Sequence, residues 1–317
     1  MIGFLIIKKK LRTNNKVKLS IFYEREFFIK KILKVILYKL KFKTQLNSGP
    51  NQVVLNLIES LKKNKITFNI NPIFEIDIAK TCIVLSGKKK LQRCIYLKKK
   101  KIILQLIAGP NLVVTPNEFN YILFSKEIDK IIVPSIWVKN LYKKLGIASE
   151  KIFIWFSGVN IFTNKNKKKD QILVYIKNNN KLIKPCLNYL KKRDYNFKII
   201  RYGFYAKEHY YNMLNRSTLM IYFGSTESQG IAMQEAWSMN VPTLVLRNEF
   251  FFYNKKKYLG RSSPYLTSSC GFLFKNFKQF TSKFNFIISS RLCPRNWIMK
   301  NMNQKKSLNK LLYIIKK

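Results

Sequence analysis

Glu227 and Glu235 stand eight positions apart in "ESQGIAMQEAWSMNVPTLV", residues 227–245, of a chain with only 15 acidic side chains against 61 basic ones. A carboxylate is a two-oxygen acceptor and suits paired vicinal hydroxyls. Ser228, Gln229 and Gly230 lie just after the first glutamate, and the glycine leaves room for close backbone approach. The wider stretch "MIYFGSTESQGIAMQEAWSMNVPTLV" reads as strand, loop, helix, turn and strand. With Ser228 as N-cap, the helix starts beside Glu227, and Glu235 follows two turns later, roughly 12 Å along the axis. The first N–H groups of such a helix lack internal partners and the helix dipole adds positive potential, so that end can hold a phosphate. The spacing matches the reach of a sugar nucleotide's diphosphate, with one glutamate on a sugar hydroxyl and the other on a ribose. The plain alternative is a capping glutamate and a surface glutamate on an ordinary amphipathic helix.

The elements around this stretch alternate short β-branched or aromatic runs with longer amphipathic ones, which predicts βαβ units and parallel sheets. In the first half, strands are expected at 34–42, 81–86, 101–107, 130–135 and 151–156. Helices are expected after "NSGPNQ", near 88–98, and over "WVKNLYKKLGI". A lysine-rich break at 160–171 reads as a solvated linker. The alternation then restarts, with strands at 172–176, 197–202, 218–223 and 242–246 and helices at 180–193 and 206–216. The expected division is an extension over 1–30 that fits neither half, an N-terminal Rossmann-like domain over 31–160, a C-terminal one over 170–295, and a closing helix over 296–317.

The 227–242 segment resembles the retaining glycosyltransferases of the GT-B fold, in the large family called glycosyl transferases group 1. The family's hallmark is Glu, seven residues, Glu, then a small turn, Val-Pro and a strand. Here that reads Glu227-Ser228-Gln229-Gly230-Ile231, Glu235-Ala236 and Asn240-Val241-Pro242. "NSGPNQVVLNLIESLKKN" (47–64) is similar to the family's first glycine-containing loop and helix, and 131–160 to the end of its first domain. The resemblance spans roughly residues 35–290. It implies an α/β protein of GT-B type, two Rossmann-like domains facing each other across a cleft, with a nucleotide-sugar donor on the second domain and the acceptor on the first. It implies retaining transfer with no cofactor and no obligatory metal, and the chain shows no paired-aspartate metal motif. By the same resemblance Glu227 is catalytic, beside the transferred sugar, and Glu235 binds the donor's ribose. Ser228, Gln229 and Gly230 form the helix-start anion site, and Gly49 and Pro50 present backbone to a phosphate across the cleft.

The chain departs from the family at two places. The Gly-Arg…Lys pattern after the first strand of the second domain is "KNNNK" here, which leaves Lys177 and Lys181 to hold the diphosphate without an arginine. The histidine usual in the first domain is absent. The chain's single histidine, His209, lies in the second half and reads as structural or surface, while "LIAGPNLVVTP" (106–116) occupies the place of the histidine loop. "SSPYLTSSCGFLF" (262–274) offers hydroxyls in a loop and is assigned no role.

A formal charge of +46 points by itself to nucleic acid or an anionic surface. The same chain is rich in Lys, Asn, Ile, Phe and Tyr, residues with A/T-rich codons, and base composition accounts for that bias without a basic binding face. The alternatives to an active transferase are therefore a basic nucleic-acid or anionic-surface binding protein, or a degenerate enzyme that binds sugar nucleotide and transfers nothing. The expected partners are a UDP-, GDP- or ADP-sugar and a saccharide or lipid acceptor, with nucleic acid not expected. Lysine runs at 97–102 and 255–261 read as solvated, with peripheral contact at an anionic membrane as the second option. No apolar run reaches the ~20 residues of a spanning helix. The five cysteines show no metal spacing, so a reducing, cytoplasmic setting is expected.

Overall fold

The computed structural model describes residues 18–24, 49–162 and 169–317. The strand expected at 34–42 lies outside them. Two parallel sheets organise the rest. The first contains β1 (Leu19–Phe22), β2 (Phe68–Ile70), β3 (Thr81–Val84), β4 (Gln105–Ala108), β5 (Lys130–Val133) and β6 (Ile152–Ile154), in the order β2-β1-β3-β4-β5-β6. Around it lie α1 (Gly49–Lys63), α2 (Lys88–Lys99) and α3 (Ile136–Lys144). Strands such as "LSIF" are buried along their whole length, as parallel strands covered on both faces must be. That is why Leu19–Phe22, which the sequence reading leaves outside either half, sits inside this sheet between β2 and β3.

The second sheet contains β7 (Gln171–Ile176), β8 (Phe197–Arg201), β9 (Ser217–Phe223), β10 (Thr243–Leu246) and β13 (Gly271–Phe274), in the order β13-β10-β9-β7-β8. Between β10 and β13 the chain inserts an antiparallel hairpin, β11 (Phe250–Tyr253) and β12 (Lys256–Leu259). The helices are α4 (Ile183–Lys192), α5 (Lys207–Arg216), α6 (Ile231–Ser238) and α7 (Phe277–Ser289). Apolar clusters cover both faces of each sheet. Each fully buried Leu, Ile or Phe in them contributes about 1.5–3 kcal/mol.

The single closing helix expected over 296–317 is two helices, α8 (Pro294–Asn301) and α9 (Gln304–Lys316). α8 closes at Met302, and Asn303 caps α9, its side chain accepting from Lys306 N at 2.9 Å. The break redirects the chain. On α8, Trp297 packs against Trp237 of the second half, while α9 sends Leu308, Leu311 and Ile314 into the core of the first. Gly158 makes room for this crossing, because a Cβ there would stand 2.6 Å from the Gln304 Cα.

Candidate active site

In an open parallel sheet, ligands settle beyond the C-terminal strand ends where the strand order reverses. In the second sheet that reversal falls between β7 and β9. β7 runs into Lys177 and β9 into the Glu227 loop, and the two strand ends are tied together: Lys177 N donates to Phe223 O at 2.7 Å, and Ser225 N to Asn178 Oδ1 at 3.1 Å.

Glu227 is held from several sides. Its Oε1 accepts from Lys177 Nζ at 2.5 Å and from the Tyr222 hydroxyl at 2.6 Å, and its side chain is 13% exposed. Its main chain donates to Arg261 O at 2.8 Å and accepts from the Trp137 indole N–H of the first half at 3.0 Å. Glu235 is more deeply buried, at 3%. Its Oε1 takes the Lys207 ammonium and the Tyr211 hydroxyl, the latter at 3.2 Å. Burial first, then the Glu227 charge, holds the Tyr222 hydroxyl well above the ordinary phenol range. Burial followed by Glu235 does the same to Tyr211. Both phenols therefore stay protonated and act as donors to the carboxylates.

The local geometry differs from the sequence reading at the helix start. Ser228 is exposed and does not cap α6. The cap is Gly230, in the left-handed region at φ +82°. A Cβ at Gly230 would also stand 2.7 Å from Met233 Cε. Residues 227–230 are consequently loop, and Glu235 lies one helical turn, not two, past the start of α6. The roughly 12 Å axial spacing does not apply. Gln229 is buried and bridges the halves, accepting from Ser157 N at 2.9 Å and donating to Ser157 O at 2.7 Å. Lys181 is exposed and pairs with neither glutamate. Gly49 opens α1 with none of the described residues over its Cα, and Pro50 is exposed beside it. His209 is exposed on α5.

Sequence reasoning missed Lys207, Tyr211 and Tyr222. Lys207 and Tyr211 sit on α5, just past the end of β8, the strand next to β7. The signal was the lysine and paired tyrosines of "AKEHYYN" directly after a predicted strand. Among the described residues, no three His, Cys, Asp or Glu side chains converge as a metal-binding group.

No protein-family model matches the chain, and no curated protein matches it in sequence. Solved structures do. The lipopolysaccharide outer core galactosyltransferase WaaB, in its apo form, superposes with a TM-score of 0.56 at 11% identity, covering 94% of this chain and 99% of that one. Alr3699/HepE of Anabaena, solved with UDP and glucose, superposes at 0.57 and 9% identity over 94% and 99% of the two chains. The chain has the GT-B fold. A structure of TarM from S. aureus, with fondaparinux, alpha-GlcNAc-glycerol and UDP, gives a TM-score of 0.50 at 15% identity, over 82% of this GT-B chain and 58% of that one.

Proposed function

We propose that this protein transfers a sugar from a nucleotide-sugar donor to a saccharide or lipid acceptor, with retention at the anomeric carbon and without an obligatory metal. One observation carries the reading: two lysine-paired glutamates flank a helix start at the strand-order reversal of a GT-B sheet. The diphosphate would lie over the start of α6, where Ile231 and Ala232 precede the first residue to donate within the helix. Lys177, paired with Glu227 just before that helix start, would meet the diphosphate. Glu235 would accept from the ribose hydroxyls, and Glu227 would hold the transferred sugar.

The reaction forms a bond from the anomeric carbon to the acceptor oxygen and breaks the bond to the diphosphate, which leaves with the electron pair. The acceptor hydroxyl gives up its proton to the oxygen of the leaving diphosphate. What the protein must supply is stabilisation of the charge growing on the diphosphate, a task for prepositioned N–H groups and a lysine. An arriving diphosphate competes with Glu227 for Lys177. Glu227 then keeps the Tyr222 hydroxyl on Oε1 and would offer its second oxygen, Oε2, to the sugar.

Isothermal titration with UDP, GDP and ADP, each with and without EDTA, tests the reading. One nucleotide should bind in the micromolar range and EDTA should leave its affinity within about twofold, less than 0.5 kcal/mol. No binding by any of the three would remove the donor site. A tenfold loss restored by Mg²⁺ would remove metal independence.

A further inference from the structure

A cavity of about 1190 Å³ opens between α3 of the first half and the β11–β12 hairpin of the second. It contains neither Lys177, Lys207 nor Glu235, so it is separate from the donor groups. It is built against the main chain of Glu227. Two of its lining residues, Trp137 and Arg261, make the backbone bonds on either side of that residue, while the Glu227 carboxylate turns to Lys177 and Tyr222. Gly260, also in the wall, packs directly on the same loop, since a Cβ there would stand 2.6 Å from Thr226 Cγ2.

Its chemistry differs from that of the glutamate pair. Beside each glutamate a lysine already faces a carboxylate. In the cavity the one acid, Glu249, is taken by Arg247 at 2.5 Å. Lys144, Lys256, Lys257 and Arg261 line the same space with no ion pair among the described residues. Trp137 and Tyr258 supply aromatic surface, joined through Phe251, whose ring packs edge-on to Trp137 at 5.8 Å and stacks on Tyr258 at 5.3 Å. Ser263, 9% exposed and lining the cavity, has a hydroxyl with no hydrogen-bond partner among the described residues. The turn that carries it is fastened to the end of β5, where the Tyr265 hydroxyl donates to Pro134 O at 2.6 Å. The next residue, Ser135, also has a buried hydroxyl with no partner among the described residues. Buried polar groups without partners are uncommon and point to an absent one.

We propose that this cavity is the acceptor pocket and that it takes a phosphorylated saccharide: the sugar ring against Trp137, a hydroxyl on Ser263, the phosphate on Arg261 and Lys144. The inference rests on the transferase reading above. The chemistry it names is a phosphate-bearing sugar, whether free or carried on a lipid.

The test is titration of the full chain with glucose 6-phosphate, glucose and inorganic phosphate, alongside co-sedimentation with phosphatidylinositol or phosphatidylcholine vesicles. Glucose 6-phosphate should bind at least about tenfold more tightly than either glucose or phosphate, or phosphatidylinositol vesicles should bind where phosphatidylcholine vesicles do not. The pair Lys144→Gln and Arg261→Gln should weaken that binding about tenfold while changing UDP affinity less than about twofold. Ser263→Ala should weaken it about threefold without lowering Tm, because removing an unpartnered hydroxyl takes nothing from the fold. Binding of glucose equal to that of glucose 6-phosphate with no vesicle selectivity, or phosphorylated-ligand binding indifferent to these variants, overturns the proposal. Failure of UDP to bind the unmodified chain is a separate result. It removes the donor reading and leaves the glucose 6-phosphate comparison readable.

Discussion

Each of the two glutamates has a lysine on one oxygen and a tyrosine beside it, but their burial differs, and so should their responses to substitution. Glu235 is almost fully enclosed, and its lysine partner is itself mostly covered. Lys207→Met leaves that carboxylate charged in a poor solvent and should cost about 3 kcal/mol or more in denaturant unfolding. Adding Glu235→Gln to it should restore most of the loss, which a purely steric defect at Lys207 would not allow. Glu227 is more open. Lys177→Ala should weaken nucleoside-diphosphate binding by about tenfold, the worth of one charge-assisted hydrogen bond. Glu227→Gln should lower kcat more than it alters KM, and Glu235→Gln should raise the donor KM with little change in kcat. Full kcat in Glu227→Gln with loss in Glu235→Gln would reverse the two roles. The glutamates themselves were legible in the sequence because their spacing and neighbours form a dense pattern. Their pairings were not: Lys177, read only as a diphosphate ligand, and Lys207 meet them once β7, β8 and β9 lie side by side, while Tyr222, five residues before Glu227, reads as an ordinary strand residue.

At the scale of elements, most strands and helices were readable from their apolar periodicity, but their ends were not. The start of α6 is set by one backbone conformation: Gly230 at φ +82° postpones the helix beyond Ser228. Gly230→Ala should therefore cost about 1–2 kcal/mol of stability, with a loss of nucleotide affinity as the loop shifts. Unchanged Tm and unchanged affinity would show that the turn tolerates a side chain. The division of the closing helix was hidden for a different reason. "NWIMKNMNQKKSLNKLLYII" keeps a helical apolar pattern on both sides of Asn303, and the split comes from the Asn303 cap together with the pull of two separate cores. On α9, Leu311 is fully buried, and Leu311→Ala should cost about 2–5 kcal/mol. Amide exchange in that variant should rise first in β1 and α1, which share its cluster, and not in β9 or β10.

For the whole molecule, charge is the property that misled most easily. A surplus of +46 invites a binding-surface reading, yet lysines at the two glutamates are internal counter-ions. Lys169, at the edge of the stretch expected to be a solvated linker, is likewise engaged: its ammonium donates to Met239 O at 3.1 Å and Asn240 O at 3.0 Å. Burial, with Arg295 adding repulsion, pulls its pKa down to about 8. The unfolded chain keeps that proton to about pH 10.4, so between these values it binds more protons than the fold does, and stability rises with pH. Relative to Lys169→Met, the unmodified protein should gain stability from pH 8 to 10 and show no relative change below pH 7. A relative loss over that window would mean the site favours the charged amine. The fold class was legible because a GT-B chain repeats a recognisable alternation twice. The way the halves are sewn together was not, since Gln229 to Ser157, Trp137 to Glu227 and α9 to the first core all join residues distant in sequence.

That last contact also sets an order in time. Leu19 and Ile21 share one buried cluster with Leu308, Leu311 and Ile314, so the first sheet's inner layer is completed by residues made almost 300 positions later. At roughly 5–20 residues per second, a ribosome needs about 15–60 s to travel from one to the other. Domains generally mature in the order they are synthesised. Here the earlier-made half has α1 on that face, but among the described residues the part that α9 covers stays open until the later half delivers it. Ribosome-bound chains halted before Asn303 should therefore present that face to a holding chaperone and lose it only when α9 has emerged.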